Sequence, residues 1–372
     1  MAHQVRLTLD ALQSLIDELQ SREYIVIGPK IENRKVVYDE IAKIDDLPAG
    51  WSDEQEAATY RLHKTGSPAL FDITHSMNAW IHHLYPSKAT LLKASRENSG
   101  FTVERMKEAP PKYALFGIRP CDLEAMKKYD RILLKDTFHD EIYKNRREKT
   151  FIISANCTRP SGTCFCASMD SGPKATSGYD LALTEIIRDG DHYFIADIGS
   201  ESAQELINKI PQAEASADDI AYANSLIEKA REQMGRTLNT GNLKEILYKN
   251  YENTHWDTVG DRCLTCGNCT LVCPTCFCTT IQDYTDLTGS NVERIRQWDS
   301  CYNNEFSYIH GGSVRTSSYA RYRHWLMHKL ATYHDQFDTS GCVGCGRCIT
   351  WCPAAIDITE EASAIRQHSI TV

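Results

Sequence analysis

Cys263-Leu-Thr-Cys266-Gly-Asn-Cys269-Thr-Leu-Val-Cys273-Pro274 is followed further along by Cys342-Val-Gly-Cys345-Gly-Arg-Cys348-Ile-Thr-Trp-Cys352-Pro353, a second run of the same design. Each run spaces its thiols C-x2-C-x2-C-x3-C and closes on proline. Three thiolates this close wrap three corners of an iron–sulfur cubane. The chain then turns away at Cys-Pro, and the fourth thiolate reaches the other cluster. On that rule Cys263, Cys266, Cys269 and Cys352 hold one [4Fe–4S] cluster. Cys342, Cys345, Cys348 and Cys273 hold the second. Gly267 and Gly346 fall between ligands, where the backbone must approach a cluster closely and a positive φ is expected. Backbone N–H groups in such loops donate to the cluster sulfurs and help set the potential. A zinc ribbon also uses paired C-x2-C, but it needs neither the third cysteine nor the Cys-Pro.

The rest of the composition suits that reading. The chain has 372 residues, 42% hydrophobic and 24% charged, enough for two or three domains with real cores. A net charge of −9 argues against a nucleic-acid partner. No run of about 18 apolar residues is present, so no membrane span is expected. The start, MAHQVRLTLDALQSL, has no export-type apolar region or cleavage site. It reads as a helix capped by Thr8, with Leu9, Leu12, Leu15, Ile16 and Leu19 on one face. An unexported chain with 15 cysteines, an odd number, points to metal sites in a cytoplasmic protein rather than to disulfides.

The fold expected is an α/β N-terminal domain plus an α+β two-cluster ferredoxin-like C-terminal domain with a helical insertion. The divisions expected are 1–200, a helical connector over 201–255, and the dicluster domain over 256–372. Tyr24–Ile27, Lys35–Tyr38, Tyr113–Ile118 and Phe151–Ser154 read as strands. Asp122 is placed to cap the helix that follows Ile118. Residues 317–337 read as one helix separating the two cysteine runs.

Seven cysteines lie outside the paired runs. Cys121, Cys157, Cys164 and Cys166 fall in the contexts RPCD and NCTRPSGTCFC. If the strands before Cys121 and Cys157 are neighbours, both thiols emerge at one sheet edge. Cys164 and Cys166 return on a Gly-containing loop, which completes a ligand set for a third cluster. Buried, unligated cysteine is the plainer reading, and an all-thiolate zinc site would also be satisfied there. Cys276, Cys278 and Cys301 form an alternative additional site, or else stand near the second cluster.

Other candidates are weaker. His324 and His328 are one helical turn apart and could grip a metal, but flanking an apolar face explains them as well. Arg315, Arg321, Arg323 and Lys329 read as a solvated helix face, with partner docking as the sharper alternative. No phosphate-cradling glycine loop, nucleophile elbow or H-E-x-x-H is found. No catalytic residue and no nucleotide- or flavin-binding residue is therefore assigned.

Asn156-Cys-Thr-x-Pro-x-Gly-Thr-Cys-Phe-Cys166 and the following Gly172–Glu185 block resemble the β, iron–sulfur, subunits of cytosolic NAD(P)-linked [NiFe] hydrogenases, the sulfhydrogenases. Phe116–Asp122, Cys273-Pro-Thr-Cys-Phe-Cys278 and Tyr308–Gly312 share the likeness. It runs from about residue 110 to the C-terminus. The electron-transfer subunit of anaerobic sulfite reductase shares much of the pattern. The resemblance implies a non-catalytic electron-transfer subunit in a hetero-oligomer. Its partners would be a flavin- and NAD(P)-binding subunit, a small iron–sulfur subunit and a large [NiFe] subunit. The rivals are the sulfite reductase subunit and a free-standing iron–sulfur redox or assembly protein.

Overall fold

The computed structural model describes residues 4–77, 80–97, 100–106, 109–135 and 139–367. Its largest sheet has eight strands in the order Ala213–Glu214, Gln4–Thr8, Asp191–Ile198, Leu181–Arg188, Phe151–Ala155, Lys112–Ile118, Tyr24–Glu32, Lys35–Glu40. The middle of this sheet is parallel: Tyr24–Glu32 pairs with Lys112–Ile118, which pairs with Phe151–Ala155, which pairs with Leu181–Arg188. Parallel strands are covered on both faces, so they carry continuous apolar runs rather than alternation. Ala114 to Ile118 and all of Phe151–Ala155 are accordingly buried. The expected neighbouring of the strands before Cys121 and Cys157 is present as a direct parallel pairing.

The first helix, Leu9–Ser21, covers one face with Leu12, Leu15, Ile16 and Leu19. Thr8 caps it, its hydroxyl accepting from the Ala11 N–H at 3.2 Å. The helix that follows Ile118 differs in one respect from expectation. It runs Pro120–Leu133, so proline takes the first turn, and Arg119 rather than Asp122 stands at the cap position. Asp122 lies inside the first turn, where its charge suits the helix dipole, and its carboxylate is taken by Arg347.

A second sheet orders Thr279–Thr285, Asn291–Trp298, Lys88–Glu97 and Gly100–Arg105. It draws strands from both ends of the chain: Asn291–Trp298 pairs with Lys88–Glu97. The segment between the two cysteine runs is therefore a β-hairpin as well as a helix. That helix starts at Ser318 and ends at Phe337, with a π turn over His328–Thr332. The 201–255 stretch supplies the helices Glu201–Ile207, Ala217–Glu232 and Leu243–Lys249. It also supplies the short strand Ala213–Glu214, which pairs with Val5 and Arg6 at the edge of the large sheet. Among the described residues, no helix is long and apolar enough to cross a membrane.

Candidate metal centres

Every cysteine is a free thiol. In both runs the chain winds from a left-handed glycine, Gly267 at φ 76° and Gly346 at φ 77°, into one short turn of helix. That turn carries the third thiol of each run. The glycines meet the sequence expectation, since a side chain disfavours this φ.

Cys263, Cys266, Cys269, Cys348 and Cys352 border one pocket. Its walls include Tyr302, Tyr322 and Trp325. The Tyr322 hydroxyl and the Trp325 indole N–H are buried and have no hydrogen-bond partner among the described residues. Such donors are costly unless something accepts from them, and the sulfurs of a cluster in this pocket would do so. The thiol-rich lining and the orphaned donors fit a cluster. Burial pushes the Cys263 thiol up. Holding thiolates here therefore calls for the positive charge that iron would bring. Cys266 is the exposed member, so this centre lies near the surface.

The second group is deeper. Cys345 is 7% exposed. Cys348 lies among Cys342, Cys345 and Cys273 closely enough for their charges to act on it, and Cys342 likewise responds to Cys273 and Cys345. Burial first, then these mutual repulsions, push Cys342 up to about 12. Cys352 thus borders the pocket of Cys263, Cys266 and Cys269, and Cys273 lies near Cys342, Cys345 and Cys348, the last of which reaches both groups.

Cys121, Cys157, Cys164 and Cys166 border a third cavity. Pro120, Pro160, Pro173 and Met234 close its apolar side. Burial raises Cys164 to about 12. His75 is buried, with Nε2 at 3.7 Å from the Cys164 sulfur, and its Nδ1 has no partner among the described residues. Desolvation pushes this imidazole well below its ordinary pKa. Arg119, 3% exposed, donates to the carbonyls of Phe71 and Thr74 at 2.8 Å, and its charge acts on Cys157. At Gly172 a Cβ would lie 3.0 Å from the Cys166 sulfur, so the loop closes tightly on the thiol. A thiol-lined cavity with a buried cation and an orphaned imidazole nitrogen again fits an anionic cluster.

This third cavity abuts the second group. The Phe165 N–H donates to the Gly344 carbonyl at 2.8 Å, and Ser171 Oγ donates to the Val343 carbonyl at 2.5 Å. A side chain on Gly344 would meet Phe165 O at 2.6 Å, and one on Gly346 would run into the Thr163 carbonyl. The loops 163–166 and 343–346 are therefore packed backbone to backbone. Arg347, between two second-group thiols, pairs with Asp122, the neighbour of Cys121.

Of the leftover thiols, Cys276 stands beside the second group, and Cys301 lies between Cys278 and Cys269 of the first. Cys276 is next to Cys273, and Cys278 is next to Cys301. Contact with Cys301 brings Cys278 down to about 7. The expectation of a solvated face for Arg315, Arg321, Arg323 and Lys329 fails at its centre. Arg321 is 8% exposed and Lys329 2%. Burial opposes the charge on Lys329, but the sulfurs of Cys273 and Cys276 outweigh it and hold the ammonium well above its ordinary pKa. His324 and His328 stack at 6.2 Å between ring centres, and burial lowers each to about 4. The reading from residue types missed His75, Arg119 and Lys329. Arg119 had a signal, since it directly precedes Pro120-Cys121.

Two adjoining thiol-rich runs define a class: an iron–sulfur protein that moves electrons. Residues 262–356 match the 4Fe-4S dicluster domain family. The chain is also similar to the β subunit of sulfhydrogenase 2 from Pyrococcus furiosus, 32% identical over 262 residues, which cover 70% of this chain and 75% of that protein. The chain belongs to the sulfhydrogenase β-subunit family, as an electron-transfer subunit carrying [4Fe–4S] clusters.

Proposed function

We propose that this chain is the electron relay of a cytoplasmic NAD(P)-linked [NiFe] hydrogenase, with three [4Fe–4S] clusters in a row. Cys121, Cys157, Cys164 and Cys166 hold one end of the row. Cys342, Cys345, Cys348 and Cys273 hold the middle. Cys263, Cys266, Cys269 and Cys352 hold the exposed end, in a two-cluster ferredoxin-like arrangement. The partners are a flavin- and NAD(P)-binding subunit, a small iron–sulfur subunit and a large [NiFe] subunit. The observation that carries this is the backbone contact between loops 163–166 and 343–346. It supports reading the third site as part of the same relay as the dicluster unit.

One further observation supports a cluster over zinc at the third site: the four thiols ring a cavity, room that a single four-coordinate zinc ion does not need. Cys276 and Cys278 are assigned as thiols flanking the middle cluster, and Cys301 as one standing between Cys278 and Cys269. Clusters suit one-electron relay because charge spreads over the cubane and the ligands move little on reduction.

The test is anaerobic purification from the native host with identification of the accompanying subunits, together with iron and sulfide analysis. The expected result is a [NiFe] large subunit and about twelve iron atoms per chain, four for each cluster. A sirohaem protein as the partner would replace the hydrogenase reading with the sulfite reductase one. A chain purifying alone would support the free-standing protein.

A further inference from the structure

Lys329 is 2% exposed, and among the described residues it has no carboxylate within ion-pair range. A buried ammonium without a carboxylate needs another anion. The groups around it are the sulfurs of Cys273, Cys276 and Cys342 and the ring of Tyr333, 5.9 Å from Nζ. Its Nζ donates to Thr275 Oγ1 at 2.7 Å. Thr275 is fully buried. Its single hydroxyl proton has two acceptors in reach, the Gly341 carbonyl at 2.6 Å and the Cys273 sulfur at 3.1 Å. Lys329 itself lies in the π turn His328–Thr332, and its own carbonyl accepts from Gly341 N–H at 2.8 Å. π turns recur at functional positions because they re-aim one side chain without ending the helix.

We infer that Lys329, acting through Thr275, is a positioning residue that raises the reduction potential of the cluster held by Cys273, Cys342, Cys345 and Cys348. The inference rests on that ligand assignment. Reduction adds one negative charge to an already anionic cluster. A fixed cation in a low-dielectric surrounding stabilises the more negative state, so it favours reduction. The ammonium also occupies a lone pair of the Thr275 oxygen and polarises its O–H, which strengthens any bond that hydroxyl makes to the Cys273 sulfur. The middle cluster of the row is thereby made a better electron acceptor than its ligands alone would make it.

The experiment uses the full chain, reconstituted anaerobically, with redox titrations followed by EPR. Wild type is compared with Lys329→Met, Lys329→Arg and Thr275→Val, and Cys342→Ser identifies the signal of the middle cluster. In Lys329→Met that signal should become at least tenfold harder to reduce, a fall of about 59 mV or more for one electron. The other signals should stay in place. Lys329→Arg should restore most of the shift, and Thr275→Val should show a smaller fall of the same sign. Unchanged midpoints in Lys329→Met at wild-type iron content overturn the inference. Should Lys329→Met lose iron, Thr275→Val keeps the lysine and the volume, and an unchanged midpoint there overturns it. A wild-type chain whose iron falls short of two clusters instead overturns the ligand assignment, whatever the midpoints do.

Discussion

Arg347 and Asp122 meet as a two-point ion pair at 2.8 and 2.9 Å, with the arginine side chain fully enclosed and the carboxylate 1% exposed. The arginine's Nε donates to the Ser76 carbonyl at 2.8 Å. One partner follows Cys121 and the other lies between Cys345 and Cys348, so the pair clamps the third cavity to the second thiol group.

Breaking that clamp from one side should be costly. Asp122→Ala leaves a guanidinium buried without its counter-charge, and a loss of about 3–5 kcal/mol is expected. Anaerobic denaturant unfolding would read it as a lowered midpoint. The double variant Asp122→Leu, Arg347→Met removes both charges and should recover much of the loss. A single substitution costing under about 1 kcal/mol would show that the pair is not the clamp described.

Gly344 should not accept alanine. Its φ is 63°, and a Cβ would stand 2.6 Å from the Phe165 carbonyl. Gly344→Ala should destabilise by more than about 1 kcal/mol, since alanine at positive φ adds strain and the loops must part. The informative measurement is the magnetic coupling between clusters in the reduced protein. It should weaken in the variant, and full coupling at full stability would contradict the contact.

Crossed ligation predicts which cluster each fourth thiol serves. Cys273→Ser should disturb the signal that Cys342→Ser disturbs. Cys352→Ser should disturb the one that Cys263→Ser disturbs. EPR of the four variants decides it, and the opposite pairing would refute the crossover.

The third site predicts an iron count. Cys164→Ser with Cys166→Ser, in the full chain, should lower iron by about four atoms and leave the two other signals. The full chain is required because Met234 lines the cavity and the 343–346 loop packs on the 163–166 loop that carries two of its thiols. Equal iron after the double substitution would reject these ligands, and stoichiometric zinc in wild type would make the site structural.

The clustering of thiols within each cysteine run was legible in the residues themselves. Spacings of two and three residues bring thiols together by local backbone geometry, and Gly267 and Gly346 carry the positive φ that geometry needs. The parallel strands around Phe116 and Ile153 were legible for a similar reason, since burial on both faces leaves an unbroken apolar run. The meeting of Cys121, Cys157, Cys164 and Cys166 could be conjectured only through an assumed strand pairing. The π turn, the pairing of Asn291–Trp298 with Lys88–Glu97, and the Asp122–Arg347 clamp left no local trace. Lys329 shows why. Its neighbours Arg321 and Arg323 make the helix look solvated, because a sequence displays charge but not what covers it. Which face is buried depends on elements far along the chain packing against it. The sulfurs of Cys273 and Cys342 that make a buried ammonium tolerable reach it only in the folded protein.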